Sequence, residues 1–153
     1  MKIALGSDHA GFELKEDLRD YLAELKIDAL DLGVYSQEAV DYPEVAGEVA
    51  GKVSRGKVEK GLLICGAGIG MSIAANRFPG VRAALCHDSF TARVSREHNN
   101  ANILVLGGRL IGKGLAREIL EVWLETEFQG GRHQRRLDKI TALEEKLGKR
   151  GKK

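Results

Sequence analysis

Cysteine is scarce in this chain, and the scarcity is the first constraint. Only Cys65 and Cys86 occur in 153 residues. Each ends an apolar run, so a reduced, cytoplasmic setting is expected rather than a disulfide framework. Excess charge is lacking too. The 24 basic and 22 acidic residues leave a net charge of +2, too little to imply nucleic acid as a partner. Much of the basic excess falls between Lys146 and Lys153, which reads as a solvated tail. No apolar run reaches transmembrane length, and the run near the N-terminus stops at Gly6, too early for a signal peptide, so no membrane partner is expected. No Gly-Lys-Ser/Thr triplet occurs, which excludes a Walker loop. His9, His87, His98 and His133 lack close ligand spacing, and there is no cysteine pair, so a metal site is not expected. With no repeat, low-complexity segment or linker, residues 1–153 read as a single domain, ending in a helix over about 132–147 and the basic tail.

What is present is a regular alternation. Short apolar runs at Ile3–Leu5, Ala29–Leu32, Leu62–Cys65, Val81–Cys86 and Ile103–Leu106 read as strands. Between them, apolar residues recur at helical spacing: Leu14, Leu18, Tyr21, Leu22 and Leu25, then Val45, Val49 and Val53 after Pro43. Further helices are expected over Ser72–Arg77, Phe90–Glu97 and around Leu115–Trp123. The last follows Gly130-Gly131 and carries Leu137, Ile140, Leu143 and Leu147. The strand runs are continuous rather than alternating. That implies an α/β fold with a five-stranded parallel sheet covered on both faces, a three-layer α/β/α sandwich of Rossmann-like type. Ligands on such sheets bind at the carboxyl ends of the strands. That rule gathers Ser7-Asp8-His9, Cys65 to Ser72, His87-Asp88 and Gly107-Gly108-Arg109 on one edge.

The stretch Gly61-Leu62-Leu63-Ile64-Cys65-Gly66-Ala67-Gly68-Ile69-Gly70-Met71-Ser72 carries the most information. It reads as a strand ending in a thiol, a glycine loop, and a helix start. A thiol there favours its thiolate form, and the loop N–H groups suit an anion. Two other readings stand beside this one: a plain tight turn, and a dinucleotide fingerprint with Asp88 downstream. The fingerprint lacks its third glycine, since Met71 occupies that place. Cys86 has no such loop and reads as core. Asp8-His9 reads either as a helix cap with a solvated imidazole or as a ligand pair. His98-Asn99-Asn100-Ala101-Asn102 is either loop or a set of neutral hydrogen-bonding groups around one titratable ring. Arg132 and Arg136 share a helical face, which suits a phosphate or a solvated surface.

These segments together resemble the B-type ribose-5-phosphate isomerases, within the wider ribose and galactose phosphosugar isomerase family. The similar stretches are Gly6 to Gly11, Asp41-Tyr42-Pro43, Ile64 to Asn76, Ser95 to Asn102 and Gly130 to Arg136, about nine tenths of the chain lying between their ends. The resemblance implies Cys65 as catalytic base and His98 as the acid that opens the sugar ring. Gly66, Ala67, Gly68, Ile69 and Gly70 would form the anion hole. Asp8, His9, Tyr42, Ser72, Asn99, Arg109, Arg132 and Arg136 would contact substrate, the arginines on its phosphate. It further implies a small-molecule phosphosugar as partner, no cofactor, no metal, and a homodimer or tetramer with active sites shared between subunits. Many members carry threonine where this chain has Ala67. The expected reaction interconverts ribose 5-phosphate and ribulose 5-phosphate through an enediolate. Three alternatives are a 6-phosphosugar such as allose 6-phosphate as substrate, a non-catalytic phosphate- or nucleotide-binding module, and a cysteine-nucleophile hydrolase.

Overall fold

Strands that are apolar on both faces must be covered on both faces, and the computed structural model, which describes residues 1–151, shows how this is done. Strands β1 (Lys2–Ser7), β2 (Asp28–Asp31), β3 (Lys60–Cys65), β4 (Ala83–Leu85) and β5 (Ile103–Gly107) form one parallel sheet in the order β2-β1-β3-β5-β4. In the central strand β3, Leu62 and Ile64 face one apolar cluster while Leu63 and Cys65 face the other. The first cluster takes Leu18 and Leu22 from helix α1 (Phe12–Glu24), Ala92 from α4 (Ser89–Glu97), and Ile119 and Trp123 from α5 (Lys113–Glu125). The second takes Val45, Ala46 and Val49 from α2 (Tyr42–Ser54) and Met71 and Ala75 from α3 (Ile69–Ala75). Truncating a central residue such as Leu62 or Leu63 to alanine would cost about 2–5 kcal/mol.

The expected α/β/α sandwich is therefore what the chain forms, with three local differences. Strand β4 spans Ala83–Leu85 rather than Val81–Cys86. The Val81 N–H turns back to the Phe78 carbonyl, and the Arg82 N–H is taken by the Asn102 side chain at 2.8 Å, so the ladder starts later. Helix α3 starts at Ile69 rather than Ser72, because Gly68 adopts φ +81°, a left-handed turn that glycine makes at no steric cost. The last helix, α6, runs over Arg132–Gly151, longer than expected. Of the basic tail, Lys152 and Lys153 lie outside the described residues. Proline falls in the first turn of α2, as its position suggests.

Helix α6 runs beside the segment that leads into β4. Leu137 is buried, but Ile140, Leu143 and Leu147 are 47, 59 and 64% exposed. A cleft of about 410 Å³ lies between this helix and the Val81–Ala84 segment. The free edge of β4 is stopped by one side chain. Asn76 donates through Nδ2 to the Ala83 carbonyl at 3.0 Å and accepts through Oδ1 from the Ala83 N–H at 2.8 Å. Among the described residues, no helix is long and apolar enough to cross a membrane.

Candidate active site

Parallel strands end together, and the register of this sheet fixes which ends meet. Ser7 pairs with Ile64, and Cys65 pairs with Gly107. Cys65 is thereby the last residue of the central strand, 6% exposed. The chain then turns at Gly68, whose N–H donates to Cys65 Sγ at 3.1 Å. A backbone donor of this kind stabilises negative charge on the acceptor. The first intrahelical bond of α3 runs from Ser72 N–H to the Gly68 carbonyl. The N–H groups of Ile69, Gly70 and Met71 therefore have no partner within the helix. The result is a thiol and a set of free donors at one strand end.

The surrounding residues close in on this loop. Arg109, carried past the end of β5, donates its N–H to the Gly66 carbonyl at 3.0 Å. Its guanidinium passes so near that a Cβ on Gly66 would lie 3.5 Å from Nη1. The Tyr42 ring lies against Gly70, where a Cβ would come within 2.5 Å of it. Only glycine admits that approach. Asp8 Oδ1 accepts from the Ala10 and Gly11 N–H groups at 3.0 and 3.1 Å, so the cap reading of Asp8 holds for that oxygen. His9, half-buried beside it, accepts the Val40 N–H at Nδ1, 3.3 Å away. Ser72 lies in the first turns of α3.

His87 and Asp88 also reach this edge, but Asp88 is engaged as the N-cap of α4, accepting from Thr91 N–H and Oγ1. Those Thr91 hydrogen bonds hold its carboxyl below the usual carboxylate range. Cys86 is core, as its context suggests, and burial pushes its thiol up despite the Thr91 and Ser95 hydroxyls.

The remaining expected site residues lie at the other edge. Helix α4 starts after β4 and runs back across the sheet, so His98 follows its C-terminal end. The chain returns to the sheet at Asn102, whose carbonyl accepts the Gly61 N–H at 2.9 Å. Gly61 is four residues before Cys65, which separates the two edges by roughly 13 Å. At this amino edge, the His98 ring stacks on His133, with centroids 4.1 Å apart and planes 10° from parallel. Arg132 and Arg136 flank His133 at the start of α6, both exposed, and Asn99 is exposed beside them. The other two asparagines are structural. Asn100 Oδ1 accepts from Arg96 at 3.0 Å, and Asn102 binds Arg82 N–H and the Gly80 carbonyl.

Within one chain, then, Cys65, Asp8, His9, Tyr42, Gly66–Gly70, Ser72 and Arg109 come together, while His98, Asn99, Arg132 and Arg136 form a second group elsewhere. Two participants have no place in the sequence-derived set. Val40 acts through its backbone N–H, which leaves no trace in residue identity. His133 is 3% exposed, and its Nε2 has no hydrogen-bond partner among the described residues. It precedes Leu137 by four residues, so the helical period carried the signal of its burial. Burial holds its imidazole below the ordinary histidine range, and the charges of His98, Arg132 and Arg136 act in the same direction.

The geometry meets an independent finding. The model of the ribose/galactose isomerase family matches residues 3–140. The chain belongs to that family. It is 46% identical over 145 residues to ribose-5-phosphate isomerase B of Escherichia coli, covering 95% of this chain and 97% of that protein. Its fold superposes on the Clostridium thermocellum ribose-5-phosphate isomerase B with a TM-score of 0.95 at 50% identity, covering 96 and 99% of the two chains. The Mycoplasma genitalium ribose-5-phosphate isomerase B, solved with bound ribulose-5-phosphate, gives a TM-score of 0.91 at 40% identity over 94 and 96%. The likeness spans the five strands and the helices between them, and so includes both edges of the sheet.

Proposed function

We propose that this chain is an aldose–ketose isomerase interconverting ribose 5-phosphate and ribulose 5-phosphate. One observation carries the reading: the Cys65 thiol lies at a strand end with the Gly68 N–H on its sulfur and the unpartnered N–H groups of α3 beside it. A base next to donors for a developing oxyanion is what proton abstraction beside a carbonyl requires. Cys65, as thiolate, takes the proton from C2 of the open-chain aldose. The charge that develops on the carbonyl oxygen is held by the Gly66–Gly70 loop, where the Ile69 and Gly70 N–H groups have no partner within the helix. The proton on O2 passes to O1, and return of a proton from the Cys65 thiol to C1 gives the ketose. His98 moves the proton at the ring oxygen that opens the furanose, and Arg132 and Arg136 hold the phosphate.

The separation of the two edges supports a homodimer as the smallest active unit. Cys65 of one copy works with His98, Asn99, Arg132 and Arg136 of a second copy. The exposed Ile140, Leu143 and Leu147 and the cleft beneath α6 give that second copy an apolar surface to meet. The test is incubation with ribose 5-phosphate in deuterated water. Ribulose 5-phosphate carrying solvent deuterium at C1 is expected. Binding without turnover would replace the isomerase with a phosphosugar-binding module, and turnover of allose 6-phosphate alone would change the substrate.

A further inference from the structure

Residues 32–41 connect β2 to α2 as a strap over the turn that bears Asp8 and His9. It is clipped at several points. At its root, the fully buried Lys15 of α1 donates to both carboxylate oxygens of Asp31, at 2.8 and 2.7 Å. Asp31 Oδ1 also accepts the Gly33 N–H at 2.9 Å, and its carbonyl accepts the Tyr35 hydroxyl at 3.0 Å. The Tyr35 ring in turn covers the Lys15 ammonium at 5.4 Å. Further along, Gln37 donates to Glu13 of α1 at 3.0 Å. Near the far end, the Val40 N–H donates to His9 Nδ1 at 3.3 Å, two residues before Tyr42. His9, Glu13 and Gln37 line a cleft of about 280 Å³ that opens at the same edge.

The last contact has a chemical consequence. A neutral imidazole donates from one nitrogen and accepts at the other. A backbone N–H can only donate, so Nδ1 must be the acceptor and the ring proton must reside on Nε2. We infer that Lys15 and Asp31 are positioning residues: they anchor the strap so that Val40 fixes His9 as the Nε2–H tautomer, a hydrogen-bond donor to an oxygen of the phosphosugar. This rests on the reading of His9 as a substrate contact. The buried cation matters because Asp31, held by the Lys15 ammonium on both oxygens and by the Gly33 N–H on Oδ1, has one orientation, whereas a solvated strap root has many.

The experiment is ring-nitrogen NMR on the uniformly ¹⁵N-labelled protein without substrate, above the ordinary histidine pKa, with His9→Asn assigning the signals. The wild type is expected to carry the proton on Nε2. Asp31→Asn, Lys15→Met and Val40→Pro are expected to give a mixture of tautomers. They should also raise KM for ribose 5-phosphate on the order of tenfold, with kcat within about threefold. Asp31→Glu, which keeps the carboxylate, should recover the single tautomer. A wild-type ring protonated at Nδ1 overturns the inference without recourse to any variant. So do variants that melt earlier yet keep both the Nε2–H tautomer and the wild-type KM, since that is the signature of a merely structural ion pair. Absence of turnover by the wild type, by contrast, overturns the isomerase reading and leaves the tautomer measurement intact.

Discussion

At the carboxyl edge of the sheet the polar groups follow strand ends; at the amino edge they follow helix ends. Strand ends are held by ladder register. Cys65 is fixed opposite Gly107, and the Gly108 N–H continues the ladder to the Cys65 carbonyl at 2.7 Å. Helix ends are held by side-chain packing, here the stack of His98 on His133. The first edge has a buried thiol and aligned backbone donors, which suit a charge that appears only during reaction. The second has two exposed guanidinium groups, which suit a charge the substrate always carries. Neither edge holds both halves of the chemistry, which is why the proposed site draws one edge from each of two copies.

The largest expected effect falls on the carboxyl edge. Cys65→Ala should lower turnover of ribose 5-phosphate by at least about 10³-fold, the scale of a lost general base, while the melting temperature changes little. Cys65→Ser should be nearly as inactive, since a hydroxyl ionises far less readily than a thiol. Near-normal turnover in either variant would remove the base from this edge.

Next in size is the test of division between copies. Cys65→Ala is mixed with the Arg132→Ala, Arg136→Ala double variant after subunit exchange. If the edges of two copies make one site, each mixed dimer regains one intact site, and activity rises to about a quarter of wild type. If each chain builds its own site, the mixture stays as inactive as its parents. The single variants Arg132→Ala and Arg136→Ala sharpen the contrast in kind. A phosphate contact made equally in ground and transition states raises KM, by about tenfold, with little loss of kcat. A fall in kcat alone would place the arginines nearer the reacting atoms.

The smallest effect concerns His133. Burial, followed by the charges of His98, Arg132 and Arg136, depresses its pKa in the folded chain, with Glu97 opposing. The unfolded chain therefore binds this proton more readily, and stability rises with pH across the interval between the two pKa values. That contribution is fully present above about pH 6.5, the unfolded value, and is lost as pH falls from there through the lower folded value. Melting temperature should decline on acidification below that pH. His133→Phe, which keeps a flat ring for the stack, should flatten the decline; an unchanged pH profile would assign the sensitivity to another group.

Most of the sheet was legible because buried parallel strands leave continuous apolar runs, and β1, β3 and β5 match those runs to within two residues. The Cys65 loop was legible for a related reason: a thiol between an apolar run and closely spaced glycines has few structural uses. Strand β4 was less so, because Val81 and Arg82 look like strand but are committed to a turn and to the Asn102 side chain. The gathering of strand ends on one edge was readable from topology. That His98 belongs with Arg132 and Arg136 was not, because it depends on the direction of α4 and on a ring stack with no sequence signature. The strap contact from Val40 was illegible in principle, since any residue but proline supplies the same N–H.

The side-chain amide of Asn76 copies the hydrogen-bonding face of a peptide unit against Ala83, donor to acceptor and acceptor to donor. A sixth strand arriving at β4 would find that rung of the ladder already taken. Growth of the sheet from chain to chain, the route by which exposed edges turn into aggregates, is blocked there by a residue that ends a helix. Any contact made at that edge is left to side chains, whose shape and charge discriminate where a bare backbone does not.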